Sequence, residues 1–529
     1  MFVPLLLSAA VAAAVPTVIE RDSSPVSVAK DAPDTAGAAI LRPFVSFSIE
    51  LAFFPDYAGN LSKPNRFSNQ LLDNLGDLQG VKPYLRVGGN TQDFALYDPA
   101  LKTSVNGTIV PAVSMDYPYI LYIGPSFFES YLTLPGSKFS HGFNMAKNTT
   151  AAKNSLLATV PLACKALKDG KLMHWEFGNE PDLYSTTTPY PVRPAGWSEQ
   201  DYVNNWLSGT EMIRRKLAQS CPEMASDEMF KFLAPSFAGI GNSLDPVKTW
   251  EDGLDSDKDI ALNSMHNYMG GANQPGVTLQ KTLMNHTKIV EVVAQHANLS
   301  RVLSEKGLTK DIPYILGEMN SLYNEGKPGL SNSFGAALWG VDFNLYCASQ
   351  SIRRTHMHQG TDYRYASWQP VQTSKTTIGT KAPYYGNVMV AAMMRGEADS
   401  SVQVVNLPMP SETDGAYAAY VDGKLARIAV INMQEFNYST AAESRPSAKY
   451  TFQLPDVSAR SLSLQRLMAN GSDAITGISW DGWSYNYNLK AGAPVRLDNV
   501  TIGETVSVGS KGEVELELPL SSGAILNFL

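Results

Sequence analysis

Eight short apolar runs recur between residues 44 and 358, alternating with helical periodicity, and no other pattern in the chain constrains the fold as strongly. The runs span 44–50, 83–88, 119–124, 172–178, 231–236, 260–266, 312–318 and 353–358. Helical spacing occupies 66–79, 149–168, 199–218, 277–306 and 332–350 between them. The fourth of these carries Leu283, Ile289, Val290, Val292 and Val293 at amphipathic intervals. Strand–helix alternation repeated eight times is the sequence form of a (β/α)8 TIM barrel.

Past residue 390 helical signals vanish. Short alternating strands at 417–421, 425–431, 449–454, 495–497, 505–508, 513–518 and 524–529, separated by Gly, Asp and Asn turns, predict an all-β sandwich. A chain of 529 residues exceeds one small core, so two tightly packed domains are the natural division. We expect a catalytic barrel at 41–390 and a β-sandwich at 391–529. The segment 16–40 is free to lend the sandwich a strand.

Residues 1–15 read as a secretory signal, an apolar run from Phe2 closing in alanines and too short to span a bilayer. Eight Asn-x-Ser/Thr sites support a secreted, N-glycosylated protein: Asn60, Asn106, Asn148, Asn285, Asn298, Asn437, Asn470 and Asn499. Three cysteines allow at most one disulfide, and whether Cys164 pairs with Cys221 stays open. No later stretch has the length of a membrane span, so no membrane partner is expected. A net charge of −8 argues against nucleic-acid or polysulfate partners, which reward basic patches.

Chemistry collects at the strand ends. The fourth run closes in Gly178-Asn179-Glu180-Pro181 and the seventh in Gly317-Glu318-Met319-Asn320, which places two carboxylates at one barrel rim, three βα units apart. Cleavage of a glycosidic bond needs such a pair, one acid to protonate the leaving oxygen and one carboxylate to attack the anomeric carbon. Trp175 and Phe177 flank Glu180, and an apolar wall raises a carboxyl pKa, which suits an acid/base. Asn179 offers an amide to a sugar 2-hydroxyl. Gly317 leaves room for a sugar to approach Glu318, and Arg86 at the second strand end can hold it ionised as a nucleophile. Glu176 shares a strand face with Glu180 and reads as an interior ion-pair partner of Arg86. Seven histidines show no HExxH motif and no paired Cys/His spacing, so neither a metal nor a cofactor is expected. His356 and His358 read as hydrogen-bonded rim residues.

At these residues the chain resembles glycoside hydrolase family 79, the β-glucuronidases and heparanase-like enzymes. The matching segments are Phe47-Ser48-Ile49-Glu50, the run Leu85 to Asp93, Gly178 to Pro181, His266-Asn267-Tyr268, and Gly317 to Tyr323. The resemblance implies retaining chemistry, with Glu180 as acid/base and Glu318 as nucleophile, supported by Arg86 and His266. It also implies a uronic-acid pocket in which Tyr268 and Tyr323 bond the sugar or its carboxylate. Backbone amides of Asn324 to Gly326 assist there, with Tyr363, while Glu50, Asn90 and Asn179 bind ring hydroxyls. No arginine stands in the strand-seven loop to clamp a carboxylate; hydroxyl and backbone donors in its place tolerate a 4-O-methyl neighbour. The expected substrate is therefore a glucuronic-acid-containing oligo- or polysaccharide such as arabinogalactan, cut at terminal β-glucuronosyl residues. The alternatives are a neutral-sugar arabinofuranosidase or xylosidase, an endo-β-glucuronidase, and a non-catalytic carbohydrate-binding protein.

Overall fold

The computed structural model describes residues 18–19, 24–187, 189–397, 399–454 and 460–528; the expected signal at 1–15 lies outside them. Eight parallel strands close into a barrel: β1 (Val45–Glu50), β2 (Leu85–Gly88), β3 (Phe139–Phe143), β4 (Leu172–Phe177), β5 (Phe232–Phe237), β6 (Ile260–Tyr268), β7 (Tyr314–Asn320) and β8 (Thr355–Gln359). Pairing of Thr355 with Val45 joins the last strand to the first. Helices α1 (Arg66–Gln79), α2 (Thr150–Leu167), α3 (Glu199–Ser220), α4 (Pro246–Glu251), α5 (His286–Glu305), α6 (Phe334–Ser349) and α7 (Ala382–Met393) surround it.

Local chemistry sets the helix boundaries. In α1, Phe67, Leu71, Leu72 and Leu75 form the buried stripe, with Phe67 against Tyr487 of the carboxy-terminal region. Ser198 and Asp201 exchange side-chain and backbone hydrogen bonds across the start of α3, a capping box. The expected helix over 277–306 is broken at Asn285, whose side chain caps α5 while Leu279–Leu283 forms a separate turn. Cys164 of α2 is bonded to Cys221 at the end of α3, and Cys347 is a free, buried thiol.

One expected barrel strand is wrong. Ile120–Ile123 alternates exposed and buried and pairs with Ala95–Tyr97 and Val105–Thr108 in a three-stranded excursion. The third stave is β3, fully buried although its sequence, Phe-Ser-His-Gly-Phe, does not read as apolar. Barrel strands turn alternate residues toward a polar interior, so apolarity alone picks the wrong segment.

The carboxy-terminal region carries β9 (Val402–Asn406), β10 (Asp414–Val421), β11 (Lys424–Asn432), β12 (Ser447–Gln453), β13 (Ser461–Met468), β14 (Glu513–Pro519) and β15 (Ser522–Asn527). A nine-stranded sheet orders β9-β10-β11-β15-β13 before shorter strands. Over it lies a four-stranded sheet of β12 and β14, in which Val18–Ile19 and Val26–Ser27 pair parallel to β12. Helices α6 and α7 are buried on every side between barrel and sheet. Among the described residues no helix is long and apolar enough to cross a membrane.

Candidate active site

Arg86 of β2 occupies the floor of the barrel mouth, 1% exposed. Its Nε and Nη2 donate to the two oxygens of Glu176 at 2.8 and 3.0 Å, and Nη2 also reaches Asn179 Oδ1 at 2.7 Å. Nη1 donates to Ser48 Oγ at 2.9 Å and to Glu318 Oε2 at 2.6 Å. The planar guanidinium thus ties four strand ends together, which a lysine's single nitrogen could not do. Ser236 Oγ completes Glu176 with a 2.6 Å bond.

Glu318 of β7 accepts the Tyr268 hydroxyl at 2.8 Å on its other oxygen, and His358 Nδ1 lies 3.4 Å from Oε2. Burial alone would raise its pKa; the charges of His358 and Arg86 and the Tyr268 hydrogen bond outweigh that and lower it to about 2. Glu180 follows β4 at a left-handed φ of 51°, a region few non-glycine residues adopt. Its backbone N–H bonds Ser236 O at 2.9 Å, and its side chain meets His266 Nδ1 at 2.9 Å. Burial and the neighbouring charge of Glu318 push its carboxyl up to about 8. His266 is driven down by burial, to about 4. Its Nε2 meets no protein partner among the described residues, which favours the tautomer donating from Nδ1 to Glu180. One carboxyl is therefore protonated and its neighbour ionised.

The wall named from the sequence is not the cause. Trp175 and Phe177 alternate outward, Trp175 against Phe143 and Phe177 against Trp206 of α3, while His174 and Glu176 turn inward. The turn itself depends on Gly178 at φ 86°, where a Cβ would lie 2.9 Å from Met145 and 3.0 Å from the Tyr184 hydroxyl.

The other expected residues gather around a cavity of about 720 Å³ lined by Glu50, Asn90, Asn179, Tyr268, Tyr323 and Tyr363. Glu50 accepts Thr91 N at 2.7 Å and the Tyr363 hydroxyl at 3.3 Å, with His358 Nε2 at 3.3 Å. Asn179 Nδ2 donates to Asn90 Oδ1 at 3.2 Å. Tyr323 stands at the rim, 47% exposed.

Several residues of the site were not assigned roles from the sequence. His358 lies between Glu50 and Glu318, whose charges raise its pKa against the effect of burial; its place at the end of the eighth strand was the available signal. Asp93 accepts the backbone N–H groups of Asn179 and Met145, at 2.9 and 2.8 Å, and the Tyr184 hydroxyl, which holds the Glu180 turn. Tyr117 and Tyr365 also line the cavity, and nothing in their local sequence marks them; Glu325 joins them from the strand-seven loop, where the sequence pointed to backbone amides and not to this side chain. Burial and Asp116 raise the Glu325 carboxyl to about 8.

Donor atoms of Glu180, His266 and Glu318 lie within 4.8 Å of one another, close enough to hold a metal ion. Arg86 already bonds one of those carboxylates, and its positive charge opposes a second cation there.

The matched regions of related proteins span both domains. Residues 416–525 match the model of the glycosyl hydrolase family 79 C-terminal beta domain. A β-glucuronidase of Aspergillus niger is 65% identical, over 99% of this chain and 98% of that one. The chain belongs to glycoside hydrolase family 79. A second β-glucuronidase, from Neurospora crassa, is 49% identical over 98% of both chains. Among solved structures, a 4-O-α-L-rhamnosyl-β-D-glucuronidase from Fusarium oxysporum superposes with a TM-score of 0.76 at 22% identity, over 95% of this chain and 100% of that one. A family 51 arabinofuranosidase from Thermotoga petrophila reaches 0.62 at 13% identity, covering 95% of this chain and 99% of that one. At these identities the two structures show the shared fold. This family 79 chain is thus a glycoside hydrolase built as a barrel with a β-domain.

Proposed function

We propose that this family 79 hydrolase removes terminal β-glucuronosyl residues, including 4-O-methylated ones, from secreted or plant-wall glycans such as arabinogalactan, with retention of configuration. The observation that carries the reading is a pair of carboxyls with donor atoms within 4.8 Å, one held by Arg86 and Tyr268 and the other by His266, surroundings that push Glu318 down and Glu180 up. Retaining glycosidases hold their carboxyls about 5–5.5 Å apart, with no room for an intervening water.

In the first step the Glu180 proton passes to the glycosidic oxygen while Glu318 attacks the anomeric carbon, so the C–O bond to the aglycone breaks and a glycosyl ester forms. In the second step Glu180, now ionised, takes a proton from water, whose oxygen displaces Glu318. His266 orients Glu180 throughout; Arg86 and Tyr268 hold Glu318 in line. The names of the Aspergillus and Neurospora relatives support a β-glucuronide as substrate. The hydroxyls of Tyr323 and Tyr363, with backbone amides of Asn324 to Gly326, would receive the sugar carboxylate.

Exo action is supported by a strap across one end of the cavity. Arg364, beyond β8, makes a bidentate pair with Asp116 at 2.8 and 3.1 Å and donates to the carbonyls of Asn324 and Gly326. Three loops are thereby tied where a glycan would extend past the sugar. Secretion belongs to the same reading: seven of the glycosylation asparagines are exposed or half-exposed, whereas Asn285 is buried as the cap of α5.

Chromogenic β-glucuronide should be hydrolysed in preference to α-arabinofuranoside and β-xyloside. A 2-fluoro-glucuronosyl donor should label the peptide containing Glu318. Turnover of only the neutral glycosides would sink the uronide reading, and label on another peptide would sink the assignment of the nucleophile.

A further inference from the structure

Four aromatic rings form a row along the cavity, from Tyr117, beside Tyr363 and Tyr365, to Tyr190 at the surface. Asn90 Nδ2 donates to the Tyr117 hydroxyl at 3.1 Å, and Tyr117 stacks on Phe94, centroid to centroid 6.3 Å. The edge of Tyr119 meets Phe94 at 4.6 Å, and Tyr190 lies nearly parallel to Tyr119, 5.8 Å away at 27°. Tyr190 is 49% exposed. All four rings line the cavity. Tyr117 and Tyr119 belong to the excursion between β2 and β3, and Tyr190 to the loop that continues from Glu180.

The proposed chemistry sets the direction of a bound glycan. The leaving oxygen must lie against Glu180, and the sugar ring must cover Glu318 and reach toward Glu50 and His358. The departing saccharide therefore leaves over the Glu180 loop, onto Tyr119 and Tyr190. We propose that these two tyrosines form an aglycone subsite that stacks on the C–H face of a neutral sugar residue joined directly to the scissile bond. Gln295 and Asn242, whose Nδ2 donates to Asp182 Oδ2 at 2.7 Å, line the same cavity. Among the described residues no lysine or arginine lines the cavity to pair with a sulfated or uronic aglycone.

This inference rests on the glucuronidase reading and deepens it. Wild type, Tyr190→Ala and Tyr190→Trp are assayed on methyl β-glucuronide and on β-glucuronosyl-(1→6)-galactose. In Tyr190→Ala the ratio of kcat/KM on the disaccharide to that on the methyl glycoside should fall about 3- to 10-fold, through KM, and Tyr190→Trp should restore it. An unchanged ratio overturns the subsite and leaves the glucuronidase reading standing; wild type inactive on both substrates overturns the two together. In a second arm, a disaccharide with an N-sulfated glucosamine aglycone should show a higher KM than the neutral one. An equal or lower KM overturns the preference for a neutral sugar.

Discussion

Glu180 and Glu318 are the same side chain in one cavity, and their neighbours decide which keeps its proton. Glu318 receives Arg86, His358 and Tyr268; Glu180 receives a neutral histidine and the repulsion of Glu318. Replacing Glu180 by Gln should lower kcat/KM about 10²- to 10⁴-fold, the usual contribution of a general acid/base. The loss should be larger on a methyl glucuronide than on a nitrophenyl one, whose leaving group needs no proton. Equal losses measured on the two substrates would remove Glu180 from the acid role. The position of both carboxylates at one rim was legible in the sequence because each ends a barrel strand. The reason for the raised pKa was not, because the parity of β4 sends Trp175 and Phe177 toward the helices.

Elements bring these residues within range by close approach. Helix α3 lies against β4 at Gly209, where an added Cβ would come within 2.1 Å of the Phe177 ring. Gly209→Ala should therefore force the strand or helix to shift and cost about 1–3 kcal/mol as overpacking, read from the denaturant midpoint. Because β4 leads directly to Glu180, activity should fall in folded protein as well; a stable, fully active variant would show that this contact has slack. The same scale explains the third strand. A run of Ile-Leu-Tyr-Ile reads as a barrel strand, yet it is the middle strand of a three-stranded sheet outside the barrel, while Phe-Ser-His-Gly-Phe is the buried stave. Helix α7 escaped the sequence reading for a related reason: buried all round, it lacks the periodicity that marks a surface helix.

At the scale of the whole molecule, the two carboxyls set the pH range and the packing between domains sets how the chain unfolds. The proposed mechanism requires Glu180 protonated and Glu318 ionised. With one pKa raised to about 8 and the other lowered to about 2, kcat/KM should fall as pH rises through the first and as it falls through the second. Activity should therefore extend well into acid, and a pH profile whose acid limb lies in the ordinary carboxylate range would contradict this electrostatic account. The barrel helices α6 and α7 are buried against the nine-stranded sheet, and the chain's first described strands pair within the sandwich. Calorimetry should thus record one cooperative transition; two separated transitions would show that barrel and sandwich are independent.

The sequence by itself determined the (β/α)8 plan, the β-rich carboxy-terminal region, and the two strand ends that carry Glu180 and Glu318. These follow from periodicity and from local chain-breaking residues, which act over a few positions. Only the tertiary structure decided that Arg86 binds Glu176, Glu318 and Asn179 at once, that His358 lies between Glu50 and Glu318, and that Tyr190 stacks on Tyr119. It also decided that Cys164 bonds Cys221. Those contacts join residues far apart in the chain, and barrel closure, not local pattern, brings them within a few ångströms.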